Sequence, residues 1–336
     1  MAQAYTLPPL GYPEQLAQLE QRGLQVTRRT EALEVLATVG YTRLSGFWKP
    51  LQIPESNNFA AGASFEQIYD RYQFDSRIRQ LILYAVGHIE VAIRSALVYH
   101  ISHELGTGLW VADTSVFGSA GRQWQSGFVQ RTLNDLWKSR EPWAQHYMRE
   151  YGRETPVPPA WIALQFASFG DLAEMLTKLK LVDARAAVCQ RYELHHEVLI
   201  SWIKTLRSLR NAAAHHARLW NRNLQTPPKW PKQLELSHRQ RPSRPWVSTW
   251  APDPNIATAP FTRYRNLGGD GAQHLTLYAA ICTMKYLIDC INPRNSFRSR
   301  LEACLSPHLA LGHPVDVEAG FPVGWRGEPL WVGGGG

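Results

Sequence analysis

Arg210, Asn211, His215 and His216 crowd into one short run, RNAAAHHARLWNR, which extends from Arg210 to Arg222. A guanidinium forks onto phosphate oxygens, and an imidazole can move a proton near neutral pH. Together they are suited to phosphate chemistry. On a helix, Arg207, Asn211 and His215 fall at steps of four and form one polar stripe, with Arg210 one residue to its side. That stripe lies off the apolar face set by Leu199, Trp202, Leu206 and Leu209, so it can face a ligand. Arg210 and His215 are five residues apart, a rotation of about 140° around the helix axis. One isolated helix cannot aim both at the same phosphate, whereas two copies across a two-fold axis can. The spacing therefore predicts a homodimer or larger even assembly with a shared site.

The loose pattern of an Arg followed within six residues by a His also occurs at Arg94/His100, Arg140/His146 and Arg191/His196. Composition alone gives about that many, so context has to separate them. Arg94 lies four residues after Glu90, the spacing of an intrahelical ion pair. His195 and His196 have no accompanying set of metal ligands. The fourth match differs in having Asn directly after Arg and a basic setting around its doubled His. Residues 201–250 carry ten basic side chains against Glu235 alone, a net +9 in a chain of net +8. The other 286 residues therefore sum to −1, and the basicity is one local patch of the kind a polyanion binds. Lys204, Arg207, Arg218, Arg222 and Lys229 are the candidate RNA contacts within it. Trp220 reads as a packing anchor beside the motif.

Helices must position these groups. A chain of 336 residues that is 44% hydrophobic can build a large core. Apolar periodicity predicts helices at 13–22, 29–38, about 65–104, 122–138, 141–151, 160–180, 183–191, 195–220, 272–291 and 295–306, and no strands. The class is all-α. The segment GYTRLSGFWKPL (40–51) reads as a compact aromatic turn. Four parts follow: an N-terminal segment (1–62), a helical core with the motif (63–225), a basic Pro/Trp-rich connection with C-terminal helices (226–310), and a mobile Gly-rich tail (311–336). The four cysteines show no metal spacing and read as reduced thiols. No secretory signal and no uncharged membrane-length run is evident, so the expected location is cytoplasmic, with no membrane partner. Phosphate-binding loops, nucleophile elbows and HExxH are not found. No metal or other cofactor is expected.

RNAAAHHARLWNR resembles the signature of the AbiD/AbiF-type Abi proteins, bacterial abortive-infection proteins of the HEPN superfamily. Three further blocks are similar to that family in the same order: GYTRLSGFWKPL at 40–51, FDSRIRQLILYAVGHIEVAIR at 74–94 and PPAWIALQFASFGDLAEML at 158–176. The likeness covers about residues 13 to 225. It implies a HEPN helical bundle that dimerises, with additional N- and C-terminal helices, and a metal-independent endoribonuclease that acts in phage defence. It places the motif Arg at Arg210, the polar residue at Asn211 and the His at His215, with His216 a second candidate because the spacing varies. A small non-coding RNA antitoxin is a further partner the resemblance implies.

The residue types suit the same roles. A ribose 2′-OH attacking its own phosphate needs a proton acceptor, a donor for the leaving 5′-oxygen and cationic support. An unperturbed imidazole titrates at about 6.5, and Arg210 can bind the phosphoryl oxygens in bidentate fashion. The products would be a 2′,3′-cyclic phosphate and a 5′-OH, and DNA would be spared. Two rivals stand beside it: a non-catalytic RNA-binding protein that uses the same patch, and an interaction module in which the HEPN bundle serves as toxin or antitoxin partner to another protein.

Overall fold

A computed structural model describes residues 8–229 and 276–332. The fold is organised around α4, Phe65–Leu105. Its start is set by a capping box: the Ser64 hydroxyl accepts from the Gln67 amide while the Gln67 side chain accepts from the Ser64 amide. It ends at Gly106, whose φ of +67° is left-handed. Ile78, Leu81, Ile82, Ala85, Ile89, Ile93 and Leu97 are all buried along it, as their three- and four-residue spacing predicts. α4 contains an 18-residue window of mean hydropathy 1.6, enough by composition to cross a membrane. Here it is the helix against which most of the larger helices pack.

The N-terminal helices α1 (Tyr12–Gln21), α2 (Arg29–Val39) and α3 (Tyr41–Trp48) form one end of the bundle. Next come α5 (Arg122–Lys138), α6 (Pro142–Glu150), α7 (Ala160–Ala163), α8 (Phe169–Lys178), α9 (Val182–Gln190) and α10 (His196–Ala214). α8, α9 and α10 lie on α4, as do α11 (Leu277–Ile291) and α12 (Phe297–Ala310). Two short helices close the chain, α13 (Val315–Glu318) and α14 (Pro329–Val332). Among the described residues there is no strand, only two isolated bridges.

Several expectations need correction. Residues 40–51 are not an aromatic turn; they form α3 and a 3-10 turn, with Leu44, Phe47 and Trp48 buried. The 160–180 helix is two helices, because Ser168 and Asp171 form a capping box that starts α8 afresh. The 195–220 helix stops at Ala214. α12 continues through Pro307 to Ala310. The expected mobile tail is packed as far as residue 332: Phe321, Trp325, Leu330 and Trp331 are buried in the main core. Buried polar bonds hold it as well. Both oxygens of Asp70 accept, one from His308 and one from His313, each at 2.6 Å, and Arg71 pairs with Glu318. Composition suggested a loose end because Gly and Pro outnumber apolar residues there, yet a few aromatics suffice to dock it. The basic connection falls largely on 230–275, outside the described residues, as does 333–336. All four cysteines are buried free thiols.

Candidate active site at the end of α10

α10 buries Val198, Leu199, Trp202, Ile203, Leu206 and Leu209 and leaves its polar stripe outward. Arg207 and Arg210 are half-buried, and Asn211, His215 and His216 are exposed. The stop after Ala214 is a Schellman closure. The His216 amide donates to the Ala213 carbonyl (3.1 Å) and the Ala217 amide to the Ala212 carbonyl (2.8 Å). His215 is thus the cap residue, its amide still bonded to the Asn211 carbonyl at 3.0 Å. His216 occupies the left-handed position, φ +56°, usually filled by Gly. The two histidines therefore differ in kind: His215 extends the stripe, whereas His216 turns the chain.

Long-range contacts fix that turn. Arg43 of α3 donates to the His216 carbonyl at 2.6 Å. In return Arg218 donates to the Gly46 carbonyl, and a Cβ at residue 46 would come within 3.0 Å of the Arg218 side chain. The strongest tie is Asp75 of α4, whose side chain is 0% exposed. One of its oxygens accepts from the amides of Leu219 and Trp220, both at 2.7 Å, and the other from Arg79. Burial raises the Asp75 carboxyl above its ordinary value, against the pull of those bonds and of Arg79 and Arg218. Trp220 is fully buried, with Phe47 beside it and the Arg71 guanidinium over its ring.

Past the turn, residues 222–229 run back along α10. Thr205 donates to the Thr226 carbonyl, Trp202 to the Lys229 carbonyl, and the Lys229 amide to Ser201. Between α10 and this returning segment lies a cleft of about 330 Å³, lined among others by Asn211, His215, Arg222, Asn223, Gln225 and Thr226. The structure thus brings Asn211 and His215 together in one cleft with Arg222. Arg210 is not one of the lining residues; its guanidinium donates to the side-chain amide oxygen of Asn211 (Oδ1) at 3.3 Å. His216 does not line the cleft either.

The predicted RNA contacts divide by their partners. Arg222 is exposed at the cleft. Lys204 is half-buried on α10. Arg207 pairs with Glu174 of α8 at 3.1 Å, and Lys229 with Glu197 at 3.3 Å. Arg218 is engaged in holding α3. Arg94 pairs with Glu90 at 2.7 Å and donates to the Ala167 carbonyl, so it is structural. Among the described residues no group of three His, Cys, Asp or Glu is placed to hold a metal.

Sequence reasoning missed Asp75, Arg43 and Gly46. Asp75 left a trace: it sits at the three- and four-residue spacing of Ile78 and Ile82, a carboxylate on a buried stripe that demands a partner. Arg43 and Gly46 left no comparable signal, because each acts across more than 170 residues.

A clamped turn, an imidazole and an amide at one cleft, and a guanidinium beside them can bind phosphate and move a proton. No curated protein and no solved structure matches the chain. The family model described as Abi-like protein matches residues 34–221, which contain α3, α4, α8, α10 and the clamped turn. The chain belongs to the Abi-like protein family, and that membership supports a role in abortive infection.

Proposed function

We propose that the protein is a metal-independent endoribonuclease of HEPN type, of the AbiD/AbiF kind, that cuts RNA in the cytoplasm during abortive infection. One observation carries this reading: Asn211 and His215 face the same cleft, with Arg210 hydrogen-bonded to Asn211, inside the span matched by the family. His215 takes the proton of a ribose 2′-OH, and that oxygen attacks the adjacent phosphorus. The P–O5′ bond breaks, and the departing O5′ receives a proton from an imidazolium. A 2′,3′-cyclic phosphate and a 5′-OH result. Arg210 supports the charge on the phosphoryl oxygens, and Asn211 orients the phosphate or the imidazole.

A homodimer completes the site. Arg210 lies beside the cleft and not in it, so a second copy across a two-fold axis supplies the other guanidinium and imidazole. Arg222 and Lys204 provide sequence-tolerant backbone contacts, and a small non-coding RNA on this surface would keep the nuclease silent. The position of Arg210 also favours a second reading, an RNA-binding protein without catalysis, since phosphate binding needs no proton transfer.

Incubating the full-length protein with RNA in EDTA separates the two. We expect cyclic-phosphate ends, DNA left intact, and losses on the order of a hundredfold in Arg210→Ala and in His215→Ala. Cleavage abolished by chelation and restored by Mg²⁺ would overturn the mechanism. RNA bound but never cut, with binding lost in Arg210→Ala and kept in His215→Ala, would establish the second reading.

A further inference from the structure

We infer that the cleft between α10 and the returning segment is a base-reading subsite. It holds one unpaired nucleotide of an RNA strand, next to the phosphate at His215. The identity of that phosphate rests on the nuclease reading; the slot itself does not. Four observations carry the inference. The slot is preformed, because both ends of its outer wall are pinned, one by Asp75 at the Leu219 and Trp220 amides and the other by Thr205 at the Thr226 carbonyl. Its volume, about 330 Å³, lies at the lower edge of small-ligand sites, which span roughly 300–1,000 Å³. That is room for one nucleotide and not for a base pair. Among the described residues its lining contains no carboxylate and one exposed guanidinium, Arg222, an arrangement that admits an anion.

The fourth observation is chemical. Asn223 and Gln225 are two residues apart and both face the slot. Each amide offers two donors and an acceptor, the groups that pair with the edge of an unstacked base. Leu209, Leu219 and Leu224 supply apolar surface for the ring faces. A phosphate site alone would need none of these.

The test titrates the full-length protein with the four nucleoside 3′-monophosphates, and with ribose 5-phosphate as a base-free control. It is repeated with Asn223→Ala/Gln225→Ala, both exposed positions. We expect one nucleotide to bind on the order of tenfold more tightly than the weakest, the discrimination that amide–base hydrogen bonds supply. In the double variant that ratio should fall toward one. Ala212→Met, which fills the slot from the helix side, should abolish nucleotide binding. Cleavage sites mapped on a random RNA pool should favour the same nucleotide beside the cut and lose that preference in the double variant. If RNA is cut but nucleotides bind no better than ribose 5-phosphate, the subsite is refuted and the nuclease reading stands. If nucleotides bind with the expected losses but RNA is never cut, the nuclease reading fails and the subsite stands.

Discussion

Replacing Asp75 tests whether the turn that carries His215 and His216 is held from α4. The carboxylate is fully buried, accepts two backbone amides at 2.7 Å through one oxygen and faces Arg79 with the other. Asp75→Ala strands both amides and leaves the Arg79 charge without its partner; removing one member of a buried pair costs about 3–5 kcal/mol. Asp75→Asn is more informative. Its remaining oxygen can still accept both amides, but its NH₂ now opposes the Arg79 donors, so about 3 kcal/mol should be lost. Adding Arg79→Met removes the opposed charge while keeping an unbranched side chain. The double variant should return to within about 1–2 kcal/mol of the wild type, because a buried ion pair exchanged for apolar contact is often close to neutral. Urea denaturation of the three variants measures this directly, and RNA cleavage by the same samples reports whether His215 has moved. If Asp75→Asn falls within about 0.5 kcal/mol of wild type, or the double variant is no more stable than the single, the clamp is not what holds the turn.

Three further outcomes are expected. His216→Gly removes a left-handed penalty of about 1–2 kcal/mol, of which the entropy of Gly takes back about 0.5–1 kcal/mol, so stability should rise by roughly 0.5–1 kcal/mol net; with His215 as the acid/base, cleavage should survive, and loss of activity in a well-folded His216→Gly protein would transfer the role to His216. Trp331→Ala empties a site in the main core and should cost about 3–5 kcal/mol, whereas a change under about 1 kcal/mol would mean the C-terminal segment is not docked in solution. Burial works to raise the Asp70 carboxyl, but hydrogen bonds from His308 and His313 hold it below its ordinary value. Its stabilisation is therefore complete above the ordinary carboxylate range, about pH 4, and is lost as pH falls through the lowered value. Thermal midpoints of wild type and Asp70→Asn should converge on acidification, and parallel curves would refute the assignment.

Much of the architecture was legible because helix formation is a local property. The apolar stripe of α4 and its stops at Ser64 and Gly106 follow from residues within a few positions of one another, and so does the buried face of α10. The identity of the candidate chemistry was equally local, since Arg210, Asn211 and His215 are near neighbours. What lay beyond the sequence was every decision made between distant segments. The end of α10 at Ala214 depends on a turn locked by Arg43 and Asp75. The same contacts divert Arg218 from ligand to scaffold and separate the roles of His215 and His216. Likewise the last aromatics, Trp325 and Trp331, read as a mobile tail until Tyr278 of α11 offered them a surface. Periodicity records which face of a helix is apolar, but not which segment will cover it. A buried carboxylate or arginine takes its partner from whatever the fold brings within hydrogen-bond reach, and only the tertiary structure holds that information.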